Sequence, residues 1–340
     1  MSCLLDNRTP FPARLQPMTS SQGHRQWLLT VKATWVLDSG RLASAEQQQA
    51  IRIEPHVCRV GDLALDDVQR RCLGPLQDEE LVWVDAETGP PKPSFNLLVS
   101  GHACAPAGWN QPQLSARVQV GGIDASLTAH VPRCWVSGLL GMKSRSLAAV
   151  VSRVPLNPAF GDWDGGLLAG AVANGLPLLP WLQHTKHAAR YQRRAVVPAG
   201  WGPWPPNAAH RHCHAGTYDE AWQRERAPQL PKDFDPRHWN DAHPELQASK
   251  PPTAGEVLRL QHLGSQPLIE SRMPGLPLSA APRQAGGQQL PSMALLPDTL
   301  LIEPDHNRMS LLWRQAFNQG DGASALTSIQ LFKTPAGSHA

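Results

Sequence analysis

His210, His212, Cys213 and His214 bring three imidazoles and a thiol together in the run HRHCH. Zinc favours these ligand types in tetrahedral sets, and copper and nickel accept them too. One reading of the chain is therefore a metal-dependent enzyme built on this tract. The spacing argues against it, because neighbours such as Cys213 and His214 rarely converge on one ion. Zinc sites usually draw two ligands from one turn and two from a separate element. Hydrolase patterns are missing as well: there is no G-x-S-x-G elbow and no H-E-x-x-H. The run GLLGMKS ending at Ser144 fails as a phosphate loop, since Met142 separates Gly141 from Lys143. The acid pairs Asp66-Asp67, Glu79-Glu80 and Asp219-Glu220 are chain neighbours whose side chains diverge, and they read as solvated faces. No catalytic residue, resident metal or cofactor is expected.

The HRHCH tract lies inside a longer stretch, Trp201 to Gln247, that crowds Trp201, Trp204, Trp222 and Trp239 among Pro203, Pro205, Pro206, Pro228, Pro231 and Pro236. These rings either pack a long irregular loop or meet a partner. Rigid prolines lower the cost of ordering a loop, and Trp, Tyr and Arg are the residue types that carry interface energy. The reading adopted is protein docking through Trp201, Trp204, Tyr218, Asp219, Trp222, Arg226 and Trp239. A helix is expected from Thr217 to Arg226, with Thr217 as cap, Asp219 and Glu220 in the first turn, and Arg224 and Arg226 near the end. Pro228 should stop it. On such a helix Asp219, Trp222 and Arg226 share one face.

The elements that hold this stretch should be strands. Among 340 residues, 33 prolines and 27 glycines against 17% charged residues disfavour long helices. Gln26 to Leu37 alternates with a period of two, placing Val31, Ala33, Trp35 and Leu37 on one face and Lys32, Thr34 and Val36 on the other. The following turn, Asp38 to Gly40, makes 45–55 a weak hairpin partner. Further strands are expected at 80–84, 95–103, 114–120, 125–131 and 134–137, then within 256–263, 267–274, 295–304 and 308–317. A buried loop with one short helix is expected over 156–183, and a basic helical turn over 184–194. The fold class predicted is mainly β, with sandwich-like antiparallel sheets and a long irregular, partly helical insertion. We expect one β-rich domain over 1–330, made of a strand-rich N-terminal region (residues 1–154), the insertion 155–250 and C-terminal strands 255–317. The tail 331–340 should fray.

Charge and cysteine usage narrow the partners. A net charge of +3 gives no field to gather phosphates, so no nucleic acid is expected. The six cysteines form no C-x-x-C pair, and MSCLLDNRTPF has no basic segment followed by an apolar core. A cytoplasmic protein with reduced thiols and no membrane span is the expectation.

The blocks LLDNRTPF, VKATWVL, KPSFNLLVSGHACAP, SRVPLNPAFG, GWGPWPP, TYDEAW, DFDPR and LPDTLLIEPDHNRMSLLWRQAF run through the chain in that order. Over about residues 4 to 317 the chain thereby resembles a bacterial domain-of-unknown-function family encoded beside type VI secretion effectors and spike-tip proteins. The TYDEAW block and the DFDPR after it are its most specific blocks. The resemblance implies a non-enzymatic chaperone or adaptor that binds a secreted effector, helps load it onto the spike, and has a spike-tip protein as a further partner. The chain departs from the family pattern at Asp162, where a second glycine is usual, and at the HRHCH tract. The family has no accepted catalytic residues to transfer.

Overall fold

The computed structural model describes residues 2–139, 141–184 and 197–334. Strands cover 41% of the chain and helices 13%, so the fold is mainly β, and its sheets mix antiparallel with parallel pairing. One seven-stranded sheet runs Gln247–Ala248, Phe95–Val99, Pro297–Glu303, Arg308–Asn318, Arg25–Val36 and Ala13–Thr19, with Ala43–Ser44 added beside the end of Arg25–Val36. Phe95–Val99 and Pro297–Glu303 are its parallel pair. A six-stranded sheet runs Leu182–His184, Ile123–His130, Gln113–Val120, Val257–Gln261, Leu268–Arg272 and Gly40–Arg41. A four-stranded sheet joins the two ends of the chain, with Leu4–Asn7 parallel to Leu326–Lys333. Phe332 and Lys333, within the expected tail, pair with Ser279 and Leu278. Residues 335–340 lie outside the described residues, as do 185–194 of the expected basic turn.

The two large sheets differ in what covers them. Gln113–Val120 and Leu268–Arg272 alternate buried and exposed positions, as expected of strands with one face on the core and one in water. Arg25–Val36 and Phe95–Val99 are buried on both faces. Val31, Ala33 and Trp35 enter a single apolar cluster that also takes Leu114, Ala116 and Leu260 from the six-stranded sheet and Ile329 from the third. The opposite face carries Lys32, Thr34, Asn96, Thr299, Ser310 and Arg314, all buried.

Loops seal that polar face, and ion pairs make the burial tolerable. Lys32 Nζ donates to Glu87 at 2.6 Å and to the carbonyl of Ala50 at 3.3 Å. Arg52 bridges Glu87 at 3.0 Å and Glu303 at 2.8 Å, and Arg308 also reaches Glu303 at 2.8 Å. The segment 45–55 is not the expected hairpin partner. The Gln48 carboxamide instead accepts from the Thr34 backbone N–H at 2.8 Å and donates to its carbonyl at 3.0 Å, so a side chain fills the place of a strand. The long strand's hydrogen-bonded neighbours are Ala13–Thr19, Arg308–Asn318 and, at its end, the short Ala43–Ser44. Gly138 and residues 141–144 fall in a hairpin, Arg133–Gly138 with Gly141–Ser146. The expected loop 156–183 buries Leu156, Phe160, Leu168 and Trp181 and holds one 3-10 turn, Pro158–Phe160, but it also carries a short hairpin, Val172–Ala173 with Leu176–Pro177, and the start of strand Leu182–His184.

Candidate functional site

The stretch from Trp201 to Gln247 divides into a root and a lobe. In the root, Trp201 and Trp204 are buried to 2% and 1% exposure. The sequence reading puts them at a docking surface, and the structure removes them from it: each is held in the interior by its own backbone. Trp201 N–H donates to Leu156 O at 2.8 Å, and its carbonyl accepts from Val99 at 2.8 Å, extending the sheet edge. Trp204 N–H donates to Asp241 O at 2.8 Å and its indole N–H to Gly200 O at 3.2 Å.

The other end of the stretch is tied to the polar sheet face. Asn96 Nδ2 donates to Asn240 at 3.0 Å, and Asn96 Oδ1 accepts from Ala242 N–H at 3.0 Å. Asp241 pairs with Lys92. Burial alone would raise the Asp241 carboxyl, but Lys92, helped by Arg211 and Arg314, outweighs it and holds the group below its ordinary range. Arg211, itself buried, spans the junction by donating to the Trp204 carbonyl and, at 3.0 Å, to His238 O.

Between Ala208 and Ala242 no residue joins the apolar core cluster. This lobe holds itself together by local bonds. Thr217 donates to Asp233 through its backbone N–H at 3.0 Å and its hydroxyl at 2.8 Å, so it closes a loop rather than capping a helix. The helix is Glu220–Glu225, and Asp219 caps it by accepting from Trp222 N–H at 2.8 Å. Gly216 has φ +80°, and a Cβ there would lie 2.9 Å from Pro231, so the loop closes this tightly only on a glycine.

The seven expected docking residues thus separate by role. The Asp219 carboxylate is spent on its own helix, and Arg226, past the last helical residue, donates to Leu230 O at 3.0 Å. Both charged groups bond to backbone, and Asp219, Trp222 and Arg226 line one groove together. Trp239 is half-buried, its ring 5.2 Å from that of Phe234. Tyr218 and Trp222 remain: Tyr218 is 52% exposed and sits edge-on to Trp222 at 4.7 Å, while the Trp222 indole is fixed by donation to Gln229 O at 2.8 Å. Beside them a groove of about 170 Å³ is lined by Trp222, Ala221, Glu225, Arg226, Pro231 and Lys232 among others.

The HRHCH tract does not gather. His210 lies edge-on to Trp204 at 5.0 Å, His214 faces Asp235 at 3.6 Å, and Cys213 lies 3.5 Å from His210 O. His212 is exposed. No group of three or more His, Cys, Asp or Glu among the described residues is placed to hold a metal ion. Burial, with Arg211 and His214 nearby, pushes the His210 imidazole down to about 4.

A model of the family described as "Uncharacterized protein conserved in bacteria (DUF2169)" matches residues 22–314. The chain belongs to this family. The family match takes in both root and lobe, as well as every strand of the seven-stranded sheet except Ala13–Thr19 in full and the end of Arg308–Asn318. No curated protein and no solved structure matches the chain. Among the described residues no helix is long and apolar enough to cross a membrane.

Proposed function

We propose that the chain is a non-enzymatic adaptor that binds a secreted effector protein and assists its loading onto a type VI secretion spike. One observation carries the docking element of this reading: Tyr218 and Trp222 form an aromatic pair outside the core, the Trp222 indole held by donation to Gln229 O and the Tyr218 ring edge-on to it. A preformed aromatic anchor beside a small groove is what a binding hot spot requires, because little order has to be imposed on association. The resemblance to effector-associated proteins supplies the identity of the partner. The divergent HRHCH side chains favour no metal-dependent reading.

The test is capture of the effector encoded beside the chain's gene, with the purified chain as bait. Deleting the chain should lower the effector's solubility and its secretion. An effector that stays soluble and is secreted at normal levels without the chain overturns the proposal.

A further inference from the structure

Asp162-Trp163-Asp164-Gly165-Gly166 forms a second ordered surface, built differently from the lobe. Trp163 folds its indole back over the two glycines that follow it. A Cβ at Gly165 would lie 2.4 Å from that ring and one at Gly166 3.0 Å, so no side chain fits at either position while the ring lies there. The indole N–H donates to Pro158 O at 3.0 Å, and the ring meets Trp204 with 5.6 Å between centroids. Trp163 is therefore a fixed wall rather than a swinging side chain.

Cavities open on both sides of it. One, of about 750 Å³, runs between Trp163, Trp204 and His210; the other, of about 660 Å³, reaches Trp135, Leu178 and Gln183. Asp162 and Asp164 line both, are exposed, and have no hydrogen-bond or ion-pair partner among the described residues. Neither cavity has a lysine or arginine among its described lining residues. His210 adds no charge near neutrality, since its burial holds it uncharged. Aromatic faces attract cations, and unpaired carboxylates add a second attraction of the same sign. We propose that this cleft binds the arginine or lysine side chain of an extended partner polypeptide, with Trp163 as its aromatic wall and Asp162 and Asp164 as counter-charges. A cleft that continues past the ring on both sides suits a chain running through it better than a free amine filling one end. The site lies apart from Tyr218 and Trp222 and does not depend on the adaptor reading.

The experiment uses the full chain and two peptides, acetyl-Gly-Arg-Gly-Gly-amide and the same peptide with citrulline, which keeps the shape and removes the charge. Calorimetry should show the arginine peptide binding at least about tenfold more tightly than the citrulline peptide, the cation being what the cleft recognises. The double variant Asp162→Asn with Asp164→Asn should weaken the arginine peptide by about tenfold and leave the melting temperature unchanged, because the two carboxylates hold nothing in the fold. Trp222→Ala should leave peptide binding intact. Equal binding of the two peptides, no binding of either, undiminished binding by the aspartate variant, or loss of binding in Trp222→Ala each overturns the proposal.

Discussion

Trp204 and Trp222 come from one tryptophan- and proline-rich stretch, yet Trp204 is 1% exposed and Trp222 is half-buried in a lobe that adds nothing to the core. What separates them is the company of their backbones. Trp204 bonds to Asp241 and Gly200, whose neighbours are pinned to Asn96 and Lys92 of the main sheet region. Trp222 bonds to Asp219, Arg226, Ala227 and Gln229, all residues of its own loop. The root belongs to the cooperative fold, whereas the lobe is a local structure whose stability need not equal the whole. A ring ordered by local bonds can stay rigid and still face a partner.

Substitutions in the root should give the largest effects. Trp204→Ala should cost about 3 to 5 kcal/mol, measured by urea denaturation, as an interior aromatic leaves a cavity. Lys92→Met should cost a similar amount, about 3 to 5 kcal/mol, because it leaves the Asp241 carboxylate buried without its partner. A loss in either variant no larger than that of Trp222→Ala would erase the distinction between root and lobe.

Buried histidines in the root and where the lobe joins it should also make the fold acid-sensitive. Burial, with repulsion from His184, pushes His243 down from 6.5 to about 3, and burial pushes His210 from 6.5 to about 4. In the unfolded chain both imidazoles take protons near their ordinary value, while in the folded chain they do not. The unfolded state therefore binds more protons throughout that window, and stability falls as pH drops from 6.5 toward 4. Urea midpoints at about pH 7.5 should exceed those at about pH 4.5, and His243→Gln should flatten the difference while lowering stability at neutral pH. A midpoint that does not change across this range would show that the histidines are not buried uncharged.

The strands are readable because their period of two survives whatever covers them. Expectations of 80–84 and 114–120 meet strands Glu80–Val84 and Gln113–Val120. Depth is not readable in the same way. The alternation puts Lys32 and Thr34 on the face away from Val31, but nothing local says that Glu87, Gln48 and Arg52 return to seal that face. The helix Asp67–Leu73 escapes the sequence reading although its signal is present: Asp66 and Gln69 form a capping box, each side chain accepting from the other's backbone N–H at 2.8 Å. Composition also treats the tryptophans alike. A clue does exist, since Trp201 and Trp204 sit in GWGPWPP without a charge, while Trp222 is surrounded by Asp219, Glu220, Arg224, Glu225 and Arg226.

In the lobe, effects on binding should exceed effects on stability. Trp222→Ala should weaken effector capture by about 2 kcal/mol or more, roughly thirtyfold, while its cost in stability stays well below that of Trp204→Ala. Both quantities are measured on one purified variant, by titration with the effector and by urea denaturation. A folded variant with undiminished capture would remove Trp222 from the docking surface.

The smallest effect separates the anchor from its support. The Asp219 carboxylate accepts from Trp222 N–H and so fixes the first turn of Glu220–Glu225, the turn from which the Trp222 side chain projects. Asp219→Ala should cost about 1 kcal/mol by loss of the cap. Asp219→Asn and Asp219→Ser keep a side-chain oxygen for that N–H and should restore most of it, since caps of these types are nearly equivalent. Capture should follow the cap rather than the charge: weakened in Asp219→Ala, and close to the parent in Asp219→Asn and Asp219→Ser. If the carboxylate instead contacted the effector, the asparagine and serine variants would lose capture while keeping the helix, and circular dichroism beside the titration would show it. That result would make the Asp219 carboxylate a contact of the docking groove and the lobe a charged surface as well as an aromatic one.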